Sequence, residues 1–107
     1  MLSGKYMNKN MPKNSRLDLF PNLKRYSNTN SFKATELYNE IANKYGISLT
    51  DLSLSFVNDR PFVTSNIIGA TSMDQLRENI NSINLKLSKE IIAEINSVNE
   101  KIPNPAP

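Results

Sequence analysis

Phe62-Val63-Thr64-Ser65-Asn66-Ile67-Ile68, entered past Pro61 and closed by Gly69, decides how this 107-residue chain is read. Branched and aromatic residues dominate the stretch, so a β-strand is expected there, the only good one in the sequence. A lone strand leaves unpaired amides and carbonyls along both edges and apolar groups on both faces. It needs a sheet from elsewhere. Helical patterns flank it, and helix, strand, helix is how part of a parallel α/β fold reads, because buried parallel strands appear as apolar runs between helices.

Upstream, Ala34, Leu37, Tyr38, Ile41, Ala42 and Tyr45 recur at helical spacing, which predicts a helix from Ser31 as cap to Gly46 as the left-handed stop. Ser48, with Asp51 three residues on, predicts a capped second helix that turns Leu49, Leu52, Phe56 and Val57 inward and stops near Asn58. Residues 1–30 hold Pro12, Pro21 and several asparagines without periodicity and read as a long loop or extended arm. Downstream, Thr71 or Ser72 caps a helix over 72–84 with Met73, Leu76, Ile80 and Ile83 on its apolar side. A last helix over 88–101 buries Ile91, Ile92, Ile95 and Val98 before Pro103, Pro105 and Pro107 forbid its continuation.

Composition narrows the function. The chain has no cysteine and no histidine, which removes disulfides, thiolate chemistry, histidine-ligated metals and any imidazole acid or base. No apolar run approaches the roughly 18 residues of a membrane span, and no signal-peptide core opens the chain. A soluble, cytoplasmic protein is expected, with no membrane partner. The net charge is +3, and the excess lies early, in Lys5, Lys9, Lys13, Arg16, Lys24, Arg25 and Lys33 against Asp18. Such a segment attracts anions, although a solvated loop with spare lysines is the commoner explanation.

The strongest local feature is the expected strand, then Gly69-Ala70-Thr71-Ser72, then a helix. Free amides and the positive dipole end at a helix start hold phosphate well. On this pattern alone a simple helix cap is the commoner reading. Gln75, Glu78 and Asn79 lie about one turn apart and so could meet one ligand edge, while Lys5 after Gly4, with Arg16, offers cations to a phosphate. A rival reading takes residues 41–51 as a helix-turn-helix with Gly46 in its turn. Its second helix offers Asp51, Leu52, Leu54 and Phe56 and no lysine or arginine for DNA, so nucleic acid is not the expected partner.

Taken together, Leu2-Ser3-Gly4-Lys5-Tyr6, Ser15-Arg16, Ile41-Ala42 with Tyr45-Gly46, and the block from Ile67 to Ile80 resemble the closing third of aldo-keto reductases. The ending, from Leu87-Ser88-Lys89-Glu90 to Ile102-Pro103-Asn104-Pro105-Ala106-Pro107, is similar to bacterial NADP(H)-dependent members of the Tas type. The resemblance implies an α/β fold, the C-terminal part of a (β/α)₈ TIM barrel whose full size is about 250 residues. It makes 1–30 a cofactor-side loop, 31–58 helical, 62–68 the last barrel strand, 72–84 the last barrel helix and 88–101 a C-terminal helix.

It further implies an NADP(H) site in which Leu2, Gly4 and Lys5 touch the cofactor phosphates and Arg16 is a phosphate partner. Gly69, Thr71, Gln75, Glu78 and Asn79 would hold the adenosine end. Several relatives carry lysine-serine where this chain has Gly69-Ala70, and arginine where it has Gln75, so Arg16 or Arg77 would have to take over the 2′-phosphate. In the family a tyrosine donates the proton while hydride passes from nicotinamide to a carbonyl, beside an aspartate, a lysine and a histidine. With no histidine present, Tyr6, Tyr26, Tyr38 and Tyr45 cannot rebuild that set, and no catalytic residue is assigned. The resemblance places Met1 near the end of the seventh strand. A truncated product or split half is expected, inactive alone and paired with a complementary N-terminal fragment, with the dinucleotide and a small carbonyl substrate as partners of the whole.

Overall fold

The computed structural model describes residues 1–23 and 26–106. Lys24 and Arg25 of the early basic set, and the closing Pro107, lie outside the described residues. Among the described residues five helices run in order: α1 (Arg16–Leu19), α2 (Thr29–Lys44), α3 (Leu49–Asn58), α4 (Met73–Asn81) and α5 (Lys89–Lys101), with 3₁₀ turns at Met7–Lys9 and Ser82–Asn84.

The core lies among α2, α3 and α5. Ile41 and Ala42 of α2 meet Leu49 and Leu52 of α3, and Leu87, Ile91, Ile95 and Val98 close over them. Apart from Leu87, these are residues the helical spacing turned inward, while Leu37, Tyr38, Tyr45, Phe56, Val57 and Ile92 of the same stripes are only half-buried. Glu94 of α5 reinforces the packing by accepting from Lys44 Nζ at 2.6 Å and Tyr45 Oη at 2.7 Å. That hydrogen bond with Lys44 leads the causes that hold the Glu94 carboxyl below its ordinary value.

Local chemistry sets most of the helix ends. The amide of Ile47 donates to Ala42 and that of Gly46 to Asn43, and with Gly46 at φ +67 this is a Schellman stop. Ser48, Ser72 and Ser88 cap α3, α4 and α5 through bonds from the amides of Asp51, Gln75 and Ile91. Ser31, by contrast, does not cap α2. Asn28 does, accepting from the Ser31 amide at 3.0 Å, while the Ser31 hydroxyl turns back to the carbonyls of Tyr26 and Asn28. The 1–30 segment is likewise not all loop, since α1 and the Met7–Lys9 turn fold within it.

The strand expected over 62–68 does not form, and no strand occurs among the described residues. Val63 closes a turn onto the carbonyl of Arg60 at 3.0 Å, and the backbone from there to Ala70 runs without a ladder. The physical reason is the one the sequence raised: a strand exists through its neighbours, and no second one is present among the described residues. Phe62 is 81% and Ile67 95% exposed as a result. The helix expected over 72–84 is present as α4 with its 3₁₀ extension, yet its apolar side is uncovered, with Met73, Ile80 and Ile83 all more than half exposed. A radius of gyration of 14.0 Å, against about 13 Å for a compact domain of 100 residues, fits a chain whose α4 side is open.

Candidate functional site

Ser72 starts α4 with extended backbone and accepts from the Gln75 amide at 3.3 Å. The Gln75 side chain reaches back, its Oε1 accepting from the Thr71 amide at 2.9 Å and the Thr71 hydroxyl at 3.1 Å. Asn79, one turn on, donates its Nδ2 to the carbonyl of Gly69 at 3.1 Å. Gly69, Thr71, Gln75 and Asn79 are thus tied into one exposed loop-and-helix corner. Glu78 points elsewhere and accepts from the Ser48 hydroxyl at 2.9 Å, which links α4 to the cap of α3. The three polar residues expected to share one ligand edge therefore take three different partners.

Leu2 joins this corner. A cleft of about 220 Å³ is lined by Leu2 and Ser3 on one side, Thr50, Ser53 and Leu54 of α3 on another, and Ile67, Ile68, Gly69 and Asn79 on the third. Ser3, Thr50, Ser53 and Leu54 were not among the cofactor-site residues expected from sequence. The signal was present in the spacing of 50, 53 and 54, which forms a stripe on α3 beside the buried Leu49 and Leu52, but short polar residues on a stripe read as solvated.

Gly4, Lys5 and Arg16 do not line that cleft. Gly4 has φ +73, a left-handed turn that an L side chain rarely adopts, with Met7 and Leu49 near the position a Cβ would take. Tyr6 is buried and its Oη accepts from the Leu17 amide at 3.2 Å, so the Gly4-Lys5 turn is pinned to the helix that carries Arg16. Burial, the largest single cause, pushes the Tyr6 phenol up, but the Leu17 amide, the Ser15 hydroxyl and Lys5 together outweigh it and leave the phenol below its ordinary value. Arg16 lines a separate cleft of about 350 Å³ with Tyr6, Leu17, Leu23, Tyr26 and Met1. Leu2, Gly69 and Asn79 are therefore brought together, whereas Arg16 faces its own recess.

For an anionic nucleotide the donors fit in part. The Gly69 α-carbon faces open space, with no heavy atom within 4 Å of where a Cβ would stand, so a ligand could approach the backbone closely. Amides and hydroxyls dominate the 69–79 corner and suit a base and a ribose. Its one cation, Arg77, is shared with Asp74 at 3.4 Å in an exposed pair, so charge for a phosphate would come from Arg77 released from that pair or from Lys5 and Arg16. No group of three or more metal-ligating side chains occurs among the described residues, and none of their helices is long and apolar enough to cross a membrane. The helix-turn-helix pattern at 41–51 serves packing, since Leu49 and Leu52 of α3 are both in the core.

Comparison with known proteins gives a consistent answer. The sequence model of the aldo/keto reductase family matches residues 1–100. Protein tas of Escherichia coli strain K12 is 42% identical over 106 residues, covering 99% of this chain and 31% of its own length. The L-glyceraldehyde 3-phosphate reductase of Escherichia coli O157:H7 is 35% identical over 104 residues, 89% of this chain and 29% of its own. A probable voltage-gated potassium channel subunit beta of Oryza sativa subsp. japonica is 30% identical over 109 residues, 96% of this chain and 33% of its own. The chain spans about a third of the length of these curated relatives.

Proposed function

Because the chain belongs to the aldo/keto reductase family, we propose that it is the closing third of a (β/α)₈ oxidoreductase that reduces aldehydes or ketones to alcohols with NADP(H). Its part is to hold the cofactor. Leu2, Gly4, Lys5 and Arg16 receive the phosphates, and Gly69, Thr71, Gln75, Glu78 and Asn79 the adenosine end. When bound, the nicotinamide supplies hydride to the carbonyl. The proton donor and its aspartate, lysine and histidine companions come from the rest of the barrel, so this chain alone turns over no substrate.

The observation that carries the reading is the convergence of Leu2 with Gly69 and Asn79 on one cleft, although more than sixty residues separate them in sequence. The uncovered apolar groups support it as well. In a complete barrel, residues 62–68 pair as the last strand and the Met73, Ile80 and Ile83 side of α4 packs onto the sheet, which removes from water the groups that are exposed here.

The test joins this chain to the first two-thirds of the 42%-identical relative and titrates the product with NADPH by fluorescence. Saturable binding that weakens about tenfold or more in Arg16→Ala or Arg77→Ala, with NADH binding little changed, supports the assignment of the 2′-phosphate. A folded joined protein that binds neither nucleotide contradicts the reading.

A further inference from the structure

The two most deeply buried serines cap no helix start and stand outside the apolar core, and both lie beside the proposed cofactor corner. Ser55 is 0% and Ser82 2% exposed. A buried hydroxyl persists only where its hydrogen bonds are made, so the partners tell what each one does. Ser55 Oγ, on α3, donates to the Ser82 carbonyl at 3.0 Å. Ser82 Oγ donates to the Asn79 carbonyl at 2.7 Å and lies 3.4 Å from Asn58 Nδ2. Asn58 Oδ1 in turn accepts from Asn66 Nδ2 at 3.1 Å, and Asn79 Nδ2 donates to the Gly69 carbonyl at 3.1 Å.

These bonds form a continuous path from the α3 interior to the Gly69 backbone, and a branch ties down Asn66 at the other end of the same segment. The 66–69 stretch has no ladder to fix it, so side chains do so at both ends. We infer that Ser82, braced by Ser55 and Asn58, is a positioning residue that sets Asn79 and, through it, the Gly69–Ser72 turn at the start of α4. The inference rests on the reading of that corner as the cofactor site, because positioning matters there only if a ligand must meet the turn. Ser82 itself is buried and touches no ligand.

Amide hydrogen exchange on the full chain tests the path without any cofactor. In Ser82→Ala, the amides of Thr71, Gln75 and Leu76 are expected to exchange about three- to tenfold faster, as the loss of one hydrogen bond predicts, while Ile91 and Ile95 in α5 keep their rates. Should Ser82→Ala loosen the whole chain, Asn79→Ala cuts the path at its exposed end and is expected to accelerate only the amides at the start of α4. Unchanged exchange there in both variants overturns the inference. The joined protein adds a ligand readout, in which Ser82→Ala should raise the Kd for NADPH severalfold at unchanged kcat. If the joined wild-type protein binds no NADPH while Ser82→Ala still accelerates exchange, the functional reading fails and the hydrogen-bond path stands without its purpose.

Discussion

Replacing Leu52 by alanine should remove about half of the stability this chain has. Leu52 is 2% exposed and sits in the core shared by α2, α3 and α5. Truncating a buried leucine costs about 2–5 kcal/mol, the lost transfer energy plus a cavity contribution. Here the side chain also borders an apolar cleft of about 180 Å³ with Tyr38, Phe56 and Ile95, so water reaches the vacated space and the cost falls at about 2–3 kcal/mol. A domain of this size holds about 5–15 kcal/mol in all, and with α4 uncovered this chain belongs at the low end. The assay is urea unfolding monitored by far-UV circular dichroism, with Ile80→Ala as comparator. Ile80 is 56% exposed on α4, so its truncation should stay within about 0.5 kcal/mol. In the joined barrel the same Ile80→Ala should cost about 2–4 kcal/mol, because the sheet then covers it. A Leu52→Ala cost below about 1 kcal/mol, or an equal cost for Ile80→Ala in the isolated chain, would refute the placement of the core.

The carboxyl of Glu94 is held below its ordinary value by Lys44 and Tyr45, and that of Asp59 by the Lys86 ammonium. Groups depressed in the fold contribute fully above their unfolded values of 4.5 and 3.8 and lose that contribution as pH falls through the lowered ones. Urea midpoints should therefore decline on acidification below this range, less steeply in Glu94→Gln. Ser48→Ala should cost about 1 kcal/mol by removing the α3 cap, and should release the Glu78 carboxylate from its bond to Ser48, with faster amide exchange at the start of α3 as the readout. Gly46→Ala should cost about 1–2 kcal/mol through its left-handed backbone alone, since nothing crowds the position, with Gly46→Asn recovering part of it in the same unfolding assay. Ile67→Lys, at a site 95% exposed, should leave stability within about 0.5 kcal/mol and reduce concentration-dependent light scattering, because it interrupts an apolar, strand-prone segment.

Helices were legible wherever the apolar stripe and the cap chemistry agreed. For α3 and α5 a serine precedes a stripe whose residues then fill the core. Where several residues could serve, the sequence did not choose. Ser27-Asn28-Thr29-Asn30-Ser31 is a run of capping residues, and the choice of Asn28 rests on the bonds the Ser31 hydroxyl makes after folding. Residues 62–68 show a different limit. Their composition states a preference for extended backbone, but a strand is a relation between segments, and its partners are not among the described residues. At the candidate site, Gly69, Thr71, Gln75 and Asn79 were readable as one block because they are neighbours on a helix start. The Ser48 to Glu78 and Ser55 to Ser82 bonds bridge residues 30 and 27 apart, and no local pattern announces a contact of that kind.

The measurement that bears most directly on the central claim is NADPH oxidation with a small aldehyde, run in parallel on this chain alone and on the chain joined to the first two-thirds of the 42%-identical relative. The proposed function requires no turnover by the chain alone, and turnover by the joined protein that weakens when Gly69→Trp blocks the open face of the corner. Authentic turnover by the purified, histidine-free chain would contradict it, as would a folded joined protein whose activity is indifferent to Gly69.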